Sequence, residues 1–126
     1  MKILIVDDVM GWRTFHENAI SELLPDAEVD TADCARTAYD MVYNNINSPY
    51  DVIITDLQME DDFLPEYAGE WLVGQVKLLS QYNRTKIVIV SATGSIRAIA
   101  EDLQVDYIPK RIAVQTADAY KEVLNI

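Results

Sequence analysis

Five short segments rich in aliphatic and β-branched residues constrain the possible folds of this chain most strongly. They are KILIV from Lys2, AEVDTAD from Ala27, YDVIITD from Tyr50, KIVIVSATG from Lys86 and VDYIPK from Val105. Short apolar runs of this kind are typical of strands buried in a parallel sheet, and parallel strands require crossover connections. The sequence therefore predicts an α/β fold, a doubly wound five-stranded parallel sheet with helices on both faces.

The stretches between these segments have apolar residues at helical spacing, and each predicts one helix. The segment 59–67 is acidic and contains Pro65, which favours a long loop. The helical stripes are Trp12, Phe15, Ala19, Ile20 and Leu23; Ala35, Ala38, Tyr39 and Val42; Trp71, Leu72, Gln75, Val76 and Leu79; Ile96, Ile99, Ala100 and Leu103; and Ala113, Ala117, Tyr120 and Leu124 in a single closing helix.

Length and composition limit the architecture to one domain. The 126 residues suit a single compact unit, so we expect one domain over residues 1–126 and no output domain. The one cysteine, Cys34, fits a reducing cytoplasm. Because the N-terminal MKILIVDD turns acidic at once and no apolar run approaches the length of a membrane span, we expect a cytoplasmic protein without membrane contact.

The charge distribution argues against nucleic-acid binding. The formal net charge is −11, with ten basic residues in the chain. No basic residue occurs between Arg36 and Lys77, whereas acidic residues are frequent there. Such a surface repels phosphate backbones and attracts divalent cations, so we expect no direct nucleic-acid partner.

Polar residues follow four of the five predicted strands. In an open parallel sheet, ligands bind beyond the carboxyl ends of the strands, where the strand order reverses. Clustered carboxylates there favour Mg²⁺, one carboxylate can form an acyl phosphate, and an ammonium group and a hydroxyl can stabilise a transferred phosphoryl group. The pattern therefore indicates phosphoryl transfer at a site formed by Asp7 and Asp8, Asp56, Ser91 and Thr93, and Lys110.

Four motifs at these strand ends resemble the signatures of response-regulator receiver domains of two-component signalling systems. They occur in the family's order, cover almost the whole chain and resemble chemotaxis-type single-domain receivers. The resemblance implies a flavodoxin-like receiver fold. The motifs are ILIVDD at 3–8, VIITDLQM at 52–59, VIVSAT at 88–93 and YIPK at 107–110.

The resemblance also implies a role for each site residue. Asp56 is the phosphoacceptor, and Lys110 and Ser91 contact the phosphoryl group. Asp8, Asp56 and the main-chain carbonyl of Gln58 bind Mg²⁺ directly, while Asp7 acts through a bound water. Ser91 and Tyr107 form the conformational switch. Gln58 and Thr93 tune dephosphorylation.

The implied function is a phosphorylation-dependent signalling switch. A histidine kinase or phosphotransfer protein would supply the phosphoryl group, and a downstream protein target would bind the altered surface. The regulator would assist only its own phosphorylation and dephosphorylation, so it is not an enzyme in the usual sense.

Two departures from the family pattern generate further expectations. Arg111 stands where a proline normally follows the lysine, so we expect a rearranged loop beside Lys110. The segment between Asp56 and the family's glycine, Gly69, is about five residues longer than usual. Its acids Glu60, Asp61 and Asp62 lead to the hypothesis that this segment gates access to Asp56.

Two other functions remain as alternatives. One is a receiver-shaped adaptor that binds partners without phosphorylation. The other is a small phosphatase that uses Asp56 as nucleophile, although Gln58 replaces the second acid expected in such enzymes. His16, the single histidine, could suggest a phosphorelay residue, but a solvated helix position is the preferred interpretation.

Overall fold

A computed structural model describes residues 1–59 and 66–126 of the chain. The strands are β1 (Lys2–Val6), β2 (Glu28–Ala32), β3 (Val52–Thr55), β4 (Lys86–Ser91) and β5 (Asp106–Pro109). The helices are α1 (Met10–Leu23), α2 (Ala35–Asn44), α3 (Ala68–Lys77), α4 (Ile96–Leu103), α5 (Lys110–Ala113) and α6 (Asp118–Leu124), with a 3-10 helix at Ser80–Tyr82.

The five strands form one parallel sheet in the order β2-β1-β3-β4-β5. The strand order reverses at β1, which pairs with β2 on one side and β3 on the other. Val6 is in register with Thr55, and Ser91 is in register with Pro109. The predicted doubly wound sheet is therefore confirmed. Its register brings the carboxyl ends of β1, β3, β4 and β5 together at the same end of the sheet.

Alternating residues of the sheet build two separate cores. Leu4 and Val6 face a layer that includes residues of α2 and α3, whereas Ile3 and Ile5 face a layer that includes residues of α1 and α6. All four side chains are at most 1% exposed. Full burial of such side chains contributes about 1.5–3 kcal/mol each. The sheet is thus fixed between two layers of helices.

The predicted closing helix is wrong in one respect, because the structure divides it into α5 and α6. The intervening residues 114–117 are exposed and bury no apolar stripe. The Thr116 hydroxyl accepts a hydrogen bond from the backbone N–H of Asp118 at 3.1 Å, so it starts a new helix at Asp118. Ala113 and Tyr120 still pack into the same core.

Within residues 1–59 and 66–126, no helix is long and apolar enough to cross a bilayer.

Candidate functional site

Three carboxylates meet at the reversal point of the sheet. Asp7 and Asp8 follow β1, and Asp56 follows β3, its direct neighbour in the sheet. One oxygen from each carboxylate lies within 4.8 Å of the others. Asp7 and Asp56 are buried, whereas Asp8 is exposed. The structure therefore brings together the three acids predicted from the strand ends.

Asp56 is held by contacts from both sides. Its carboxylate Oδ1 accepts a hydrogen bond from the Leu57 backbone N–H at 2.7 Å, and its Oδ2 lies 2.8 Å from Lys110 Nζ. The Thr55 hydroxyl donates to the Asp56 main-chain carbonyl at 2.8 Å. Asp56 is 5% exposed. The carboxylate is thus fixed in orientation by hydrogen bonds to both of its oxygens.

Lys110 belongs to the site despite Arg111 in the place of the usual proline. Its Nζ lies 2.8 Å from Asp56 and 3.1 Å from Asp7, and it stacks 4.6 Å from the ring centroid of Trp12. Burial disfavours the charged ammonium, but the hydrogen bond with Asp56 and the attraction of both carboxylates outweigh it and raise the pKa of Lys110. Arg111 is exposed and lies beside this arrangement.

Asp7 is fully buried and incompletely satisfied. Its Oδ1 accepts the Val9 backbone N–H at 3.0 Å. Among the described residues, its Oδ2 has no hydrogen bond of good geometry, although Lys110 is in ionic contact. Burial acts to raise the pKa of Asp7, but the imidazole of His16, the Val9 amide and Lys110 together lower it. Asp7 therefore stays ionised in the interior.

Asp8 shows that the site carries surplus negative charge. Burial, followed by repulsion from Asp7 and Asp56, raises its pKa. Among the described residues, Lys110 is the one Lys or Arg side chain in ion-pair contact with these three carboxylates, so their charge is only partly balanced, and a divalent cation would neutralise the remainder. Carboxylate oxygens are also the ligands that Mg²⁺ prefers. The residues present thus fit a Mg²⁺ ion held by Asp7, Asp8 and Asp56.

The predicted hydroxyl residues lie at and just after the end of β4, beside Lys110, and the predicted aromatic residue lies on β5. Ser91, at the end of β4, is 1% exposed, and its Oγ accepts the Thr93 backbone N–H at 3.4 Å. A cavity of about 190 Å³ is lined by Ser91, Thr93 and Lys110, among others. Tyr107 lies in register with Ile89 of β4 and packs partly buried on a cluster that includes Leu57 and Ile96.

The loop that follows Asp56 is described only at its ends. Gln58 is exposed and Met59 is half-buried. Residues 60–65, on which the gating hypothesis depends, lie outside the described residues. After them, the N–H of Tyr67 donates to Glu70 Oε1 at 3.4 Å at the start of α3.

Gly69 packs against the backbone of Asp56 and Leu57. Its N–H donates to the Leu57 carbonyl at 3.1 Å. A Cβ at this position would overlap the Asp56 carbonyl oxygen and lie 2.7 Å from Leu57 Cα. No side chain fits there, so glycine is required by close approach of two backbones.

The prediction of a solvated His16 is wrong. The residue is 1% exposed, and its Nδ1 lies 2.6 Å from the Tyr120 hydroxyl. Its Nε2 lies 3.9 Å from Asp7 Oδ2. The sequence held a signal for this position, because His16 falls four residues after Trp12 and four before Ile20, on the apolar stripe of α1.

A second cavity, of about 470 Å³, lies at the opposite edge of the sheet. The residues lining it include the basic side chains Lys77, Arg84 and Lys86 at or near the starts of β4 and β5. Lys86 pairs there with Asp106 at 2.9 Å. None of the residues predicted to carry chemistry lines this cavity, so its size does not make it the functional site.

Comparison with known proteins gives matches in structure alone. Neither protein-family models nor curated proteins match this sequence. The chemotaxis protein CheY4 of Vibrio cholerae is 22% identical, with 98% of this chain and 95% of that chain covered and a TM-score of 0.74.

Two further solved structures are similar to the chain. The phosphorylated cyanobacterial phytochrome response regulator RcpA is 22% identical, with 96% of this chain and 91% of that chain covered and a TM-score of 0.78. The response regulator TrrA of Thermotoga maritima, in complex with Mg²⁺-BeF, is 23% identical over 84% and 82%, with a TM-score of 0.65. At these identities the likeness concerns the fold: the chain has the flavodoxin-like fold of the CheY-type and other response-regulator receiver domains.

Proposed function

We propose that this protein is a phosphorylation-dependent switch of a two-component phosphorelay, with Asp56 as the phosphoacceptor. The observation that carries the proposal is the arrangement of Lys110 Nζ, 2.8 Å from Asp56 and 3.1 Å from Asp7, inside a cluster of three carboxylates. Phosphoryl transfer depends mainly on positioning and on stabilisation of negative charge, and this cluster supplies a nucleophile, ligands for a cation and an ammonium group.

In the proposed reaction, a carboxylate oxygen of Asp56 attacks the phosphorus of a phosphohistidine on the partner. The O–P bond forms as the P–N bond breaks, which leaves an acyl phosphate on Asp56 and returns the imidazole to the partner. The Leu57 N–H keeps the Asp56 carboxylate oriented, while Lys110 and the Ser91 hydroxyl stabilise the phosphoryl oxygens. Both groups line the cavity beside β4.

Mg²⁺ would offset the negative charge that nucleophile and phosphoryl group bring together. We propose Asp8, Asp56 and the main-chain carbonyl of Gln58 as direct ligands, with Asp7 acting through water. The solved structure of TrrA in complex with Mg²⁺-BeF supports a Mg²⁺ ion by analogy, and that of phosphorylated RcpA supports a phosphorylated state. The raised pKa of Asp8 is consistent with a cation at this place, because burial raises it first and a bound cation would relieve the repulsion from Asp7 and Asp56 that raises it further.

Phosphorylation would shift an existing conformational equilibrium. We propose that Ser91 moves toward the phosphoryl group and that Tyr107 changes rotamer with it, while Gln58 and Thr93 tune dephosphorylation. Tyr107 is half-buried on a small cluster next to α4, where a rotamer change would alter the surface offered to a target. A beryllofluoride-bound structure with both side chains unmoved would contradict this part.

The proposed partners are a histidine kinase or phosphotransfer protein upstream and a protein target downstream, in the cytoplasm. An adaptor that needs no phosphorylation would have no use for a partly buried lysine between two carboxylates. A phosphatase acting on diffusible substrates would need a second acid where Gln58 stands.

The decisive test is mass spectrometry after incubation with acetyl phosphate and Mg²⁺. We expect one added phosphoryl group on the wild-type protein, which does not form when Mg²⁺ is chelated before the incubation and is absent in Asp56→Asn. Because Asn keeps the size of the side chain, this variant controls for the fold. Labelling of Asp56→Asn equal to wild type would refute the assignment.

A further inference from the structure

A buried polar pair lies beside the carboxylate cluster. His16 of α1 and Tyr120 of α6 are each 1% exposed, and the distance from Nδ1 to the phenol oxygen is 2.6 Å. The layer around them is apolar and includes Ile20 and Ala119. Buried imidazole and phenol groups are costly unless their polar atoms find partners. This pair satisfies one ring nitrogen and leaves the other, Nε2, to face the site.

The pairing determines which nitrogen carries the proton. The carboxylate of Asp7 lies 3.9 Å from His16 Nε2. If Nδ1 carried the hydrogen, the lone pair of Nε2 would point at a negative carboxylate. If Tyr120 donates its hydroxyl proton to Nδ1, the imidazole presents an N–H to Asp7 instead. Burial and the charge of Asp7 raise the pKa of Tyr120, so Tyr120 stays a neutral phenol and can act as a hydrogen-bond donor.

The carboxylate of Asp7 has need of such a donor. Its Oδ2 lacks a well-formed hydrogen bond among the described residues, and the lysine with which it forms an ion pair, Lys110, is shared with Asp56. In the proposed reaction Lys110 turns toward the phosphoryl group, so its positive charge no longer neutralises the carboxylate of Asp7. His16 Nε2 is then the nearby donor, about 1 Å beyond hydrogen-bond distance.

We infer that His16 is a positioning residue for this site: its Nε2–H, held in that tautomer by Tyr120, fixes the carboxylate of Asp7 for cation binding. The inference rests on the proposed phosphoacceptor function. It gives the His16–Tyr120 pair a role beyond joining α1 to α6. Partners of this kind behind metal ligands commonly change metal affinity about 10- to 100-fold when removed.

Two variants separate positioning from packing. The double variant His16→Leu/Tyr120→Phe replaces both polar partners by apolar groups, which can leave stability nearly unchanged. The variant His16→Gln packs less well, but its amide can place an N–H near the position of Nε2. If the role of His16 is purely structural, the double variant should equal or exceed His16→Gln in both thermal stability and Mg²⁺ affinity. If His16 positions Asp7, His16→Gln should bind Mg²⁺ more tightly than the double variant.

The experiment is a Mg²⁺ titration of the full chain followed by tryptophan fluorescence, with thermal melts in parallel. We expect the Mg²⁺ concentration at the titration midpoint to be about tenfold higher for the double variant than for wild type. For His16→Gln it should stay within about threefold of the wild-type value. Equal midpoints for wild type and the double variant, or equal weakening in both variants, would overturn the inference.

A ¹⁵N spectrum of His16 in the wild-type protein tests the tautomer without any substitution. We expect the hydrogen on Nε2; a hydrogen on Nδ1 alone would overturn the inference even if a variant failed to fold. Failure of the proposed function is distinguishable, because the wild type itself would then show neither Mg²⁺ binding nor labelling by acetyl phosphate.

Discussion

Removal of the charge of Asp8 should stabilise the metal-free protein, although it removes a proposed metal ligand. The carboxylate oxygens of Asp7, Asp8 and Asp56 lie within 4.8 Å of one another. At this distance two like charges repel by about 1 kcal/mol in a water-like dielectric. Asp8 experiences two such repulsions and, in part, the opposing attraction of Lys110. We therefore expect Asp8→Asn to raise the free energy of unfolding by about 1 kcal/mol, or the melting temperature by about 3–5 °C.

The pH dependence of this effect has a defined sign. The pKa of Asp8 in the folded protein lies above its ordinary value of 3.8. Its proton therefore stabilises the folded state at low pH, and that contribution is lost as pH rises through the folded pKa. The increase in the free energy of unfolding caused by Asp8→Asn should therefore be absent below about pH 3.8, appear above that pH and be complete near neutrality.

Thermal melts of wild type and Asp8→Asn at several pH values, with and without Mg²⁺, measure the effect. A saturating ligand at ten times its dissociation constant stabilises by about 1.4 kcal/mol. Mg²⁺ should thus raise the wild type to the level of the variant or above it, while the variant responds little. A variant less stable than wild type at neutral pH without Mg²⁺, or one stabilised equally by Mg²⁺, would refute the reasoning.

Three further outcomes follow from the contacts of the site. Lys110→Met should lower the free energy of unfolding of the metal-free protein by about 1–3 kcal/mol, because it leaves buried carboxylates unpaired. The same variant should be stabilised more by Mg²⁺ than the wild type is. A smaller Mg²⁺-dependent rise in melting temperature would contradict this expectation. Gly69→Ala should lower the free energy of unfolding by about 1–3 kcal/mol by overpacking against the Asp56 backbone. The control Gly74→Ala in the same helix has open space around its Cβ and should raise the free energy of unfolding by about 0.5–1 kcal/mol. Equal effects of the two substitutions in urea unfolding would refute the close approach. Ser91→Ala should slow labelling by acetyl phosphate several-fold with unchanged Mg²⁺ affinity, and an unchanged rate would remove the hydroxyl from the reaction.

The hypothesis of an acidic gate predicts a salt-dependent rate. Neutralising Glu60, Asp61 and Asp62 together should speed labelling by acetyl phosphate at low ionic strength, with the gain shrinking as salt screens the charges. Labelling rates across ionic strength measure it, and equal rates at low salt would show that the segment is no gate.

The class of fold could be predicted from the sequence because it depends on local patterns. Strands buried on both faces must be apolar throughout, and helices that cover a sheet must carry a stripe, so both leave marks in composition and spacing. The carboxyl ends of parallel strands share one edge of the sheet. The residues after the strands, among them Asp7, Asp56 and Lys110, could therefore be assigned to one site before any distance was known.

The division of the last helix depended on more than spacing. Ala113 and Tyr120 lie on one stripe and enter one core, but the exposed residues between them bury nothing that would keep the helix continuous. The Thr116 hydroxyl then competes successfully for a backbone N–H. A periodicity shared by two short helices is indistinguishable, in sequence, from that of one longer helix.

What the sequence alone determined is the set of groups at the edge of the sheet, and what only the tertiary structure decided is how those groups are paired. Lys110 could have been a solvated neighbour of Arg111, and the fold places it between Asp56 and Asp7. His16 could have faced solvent, and the packing of α6 against α1 buries it on Tyr120. Both outcomes depend on side chains from distant parts of the chain, 54 and 104 residues apart for the Lys110–Asp56 and His16–Tyr120 pairs. Electrostatic and hydrogen-bond energies depend on distances, and no local pattern encodes distances between segments that meet only on folding.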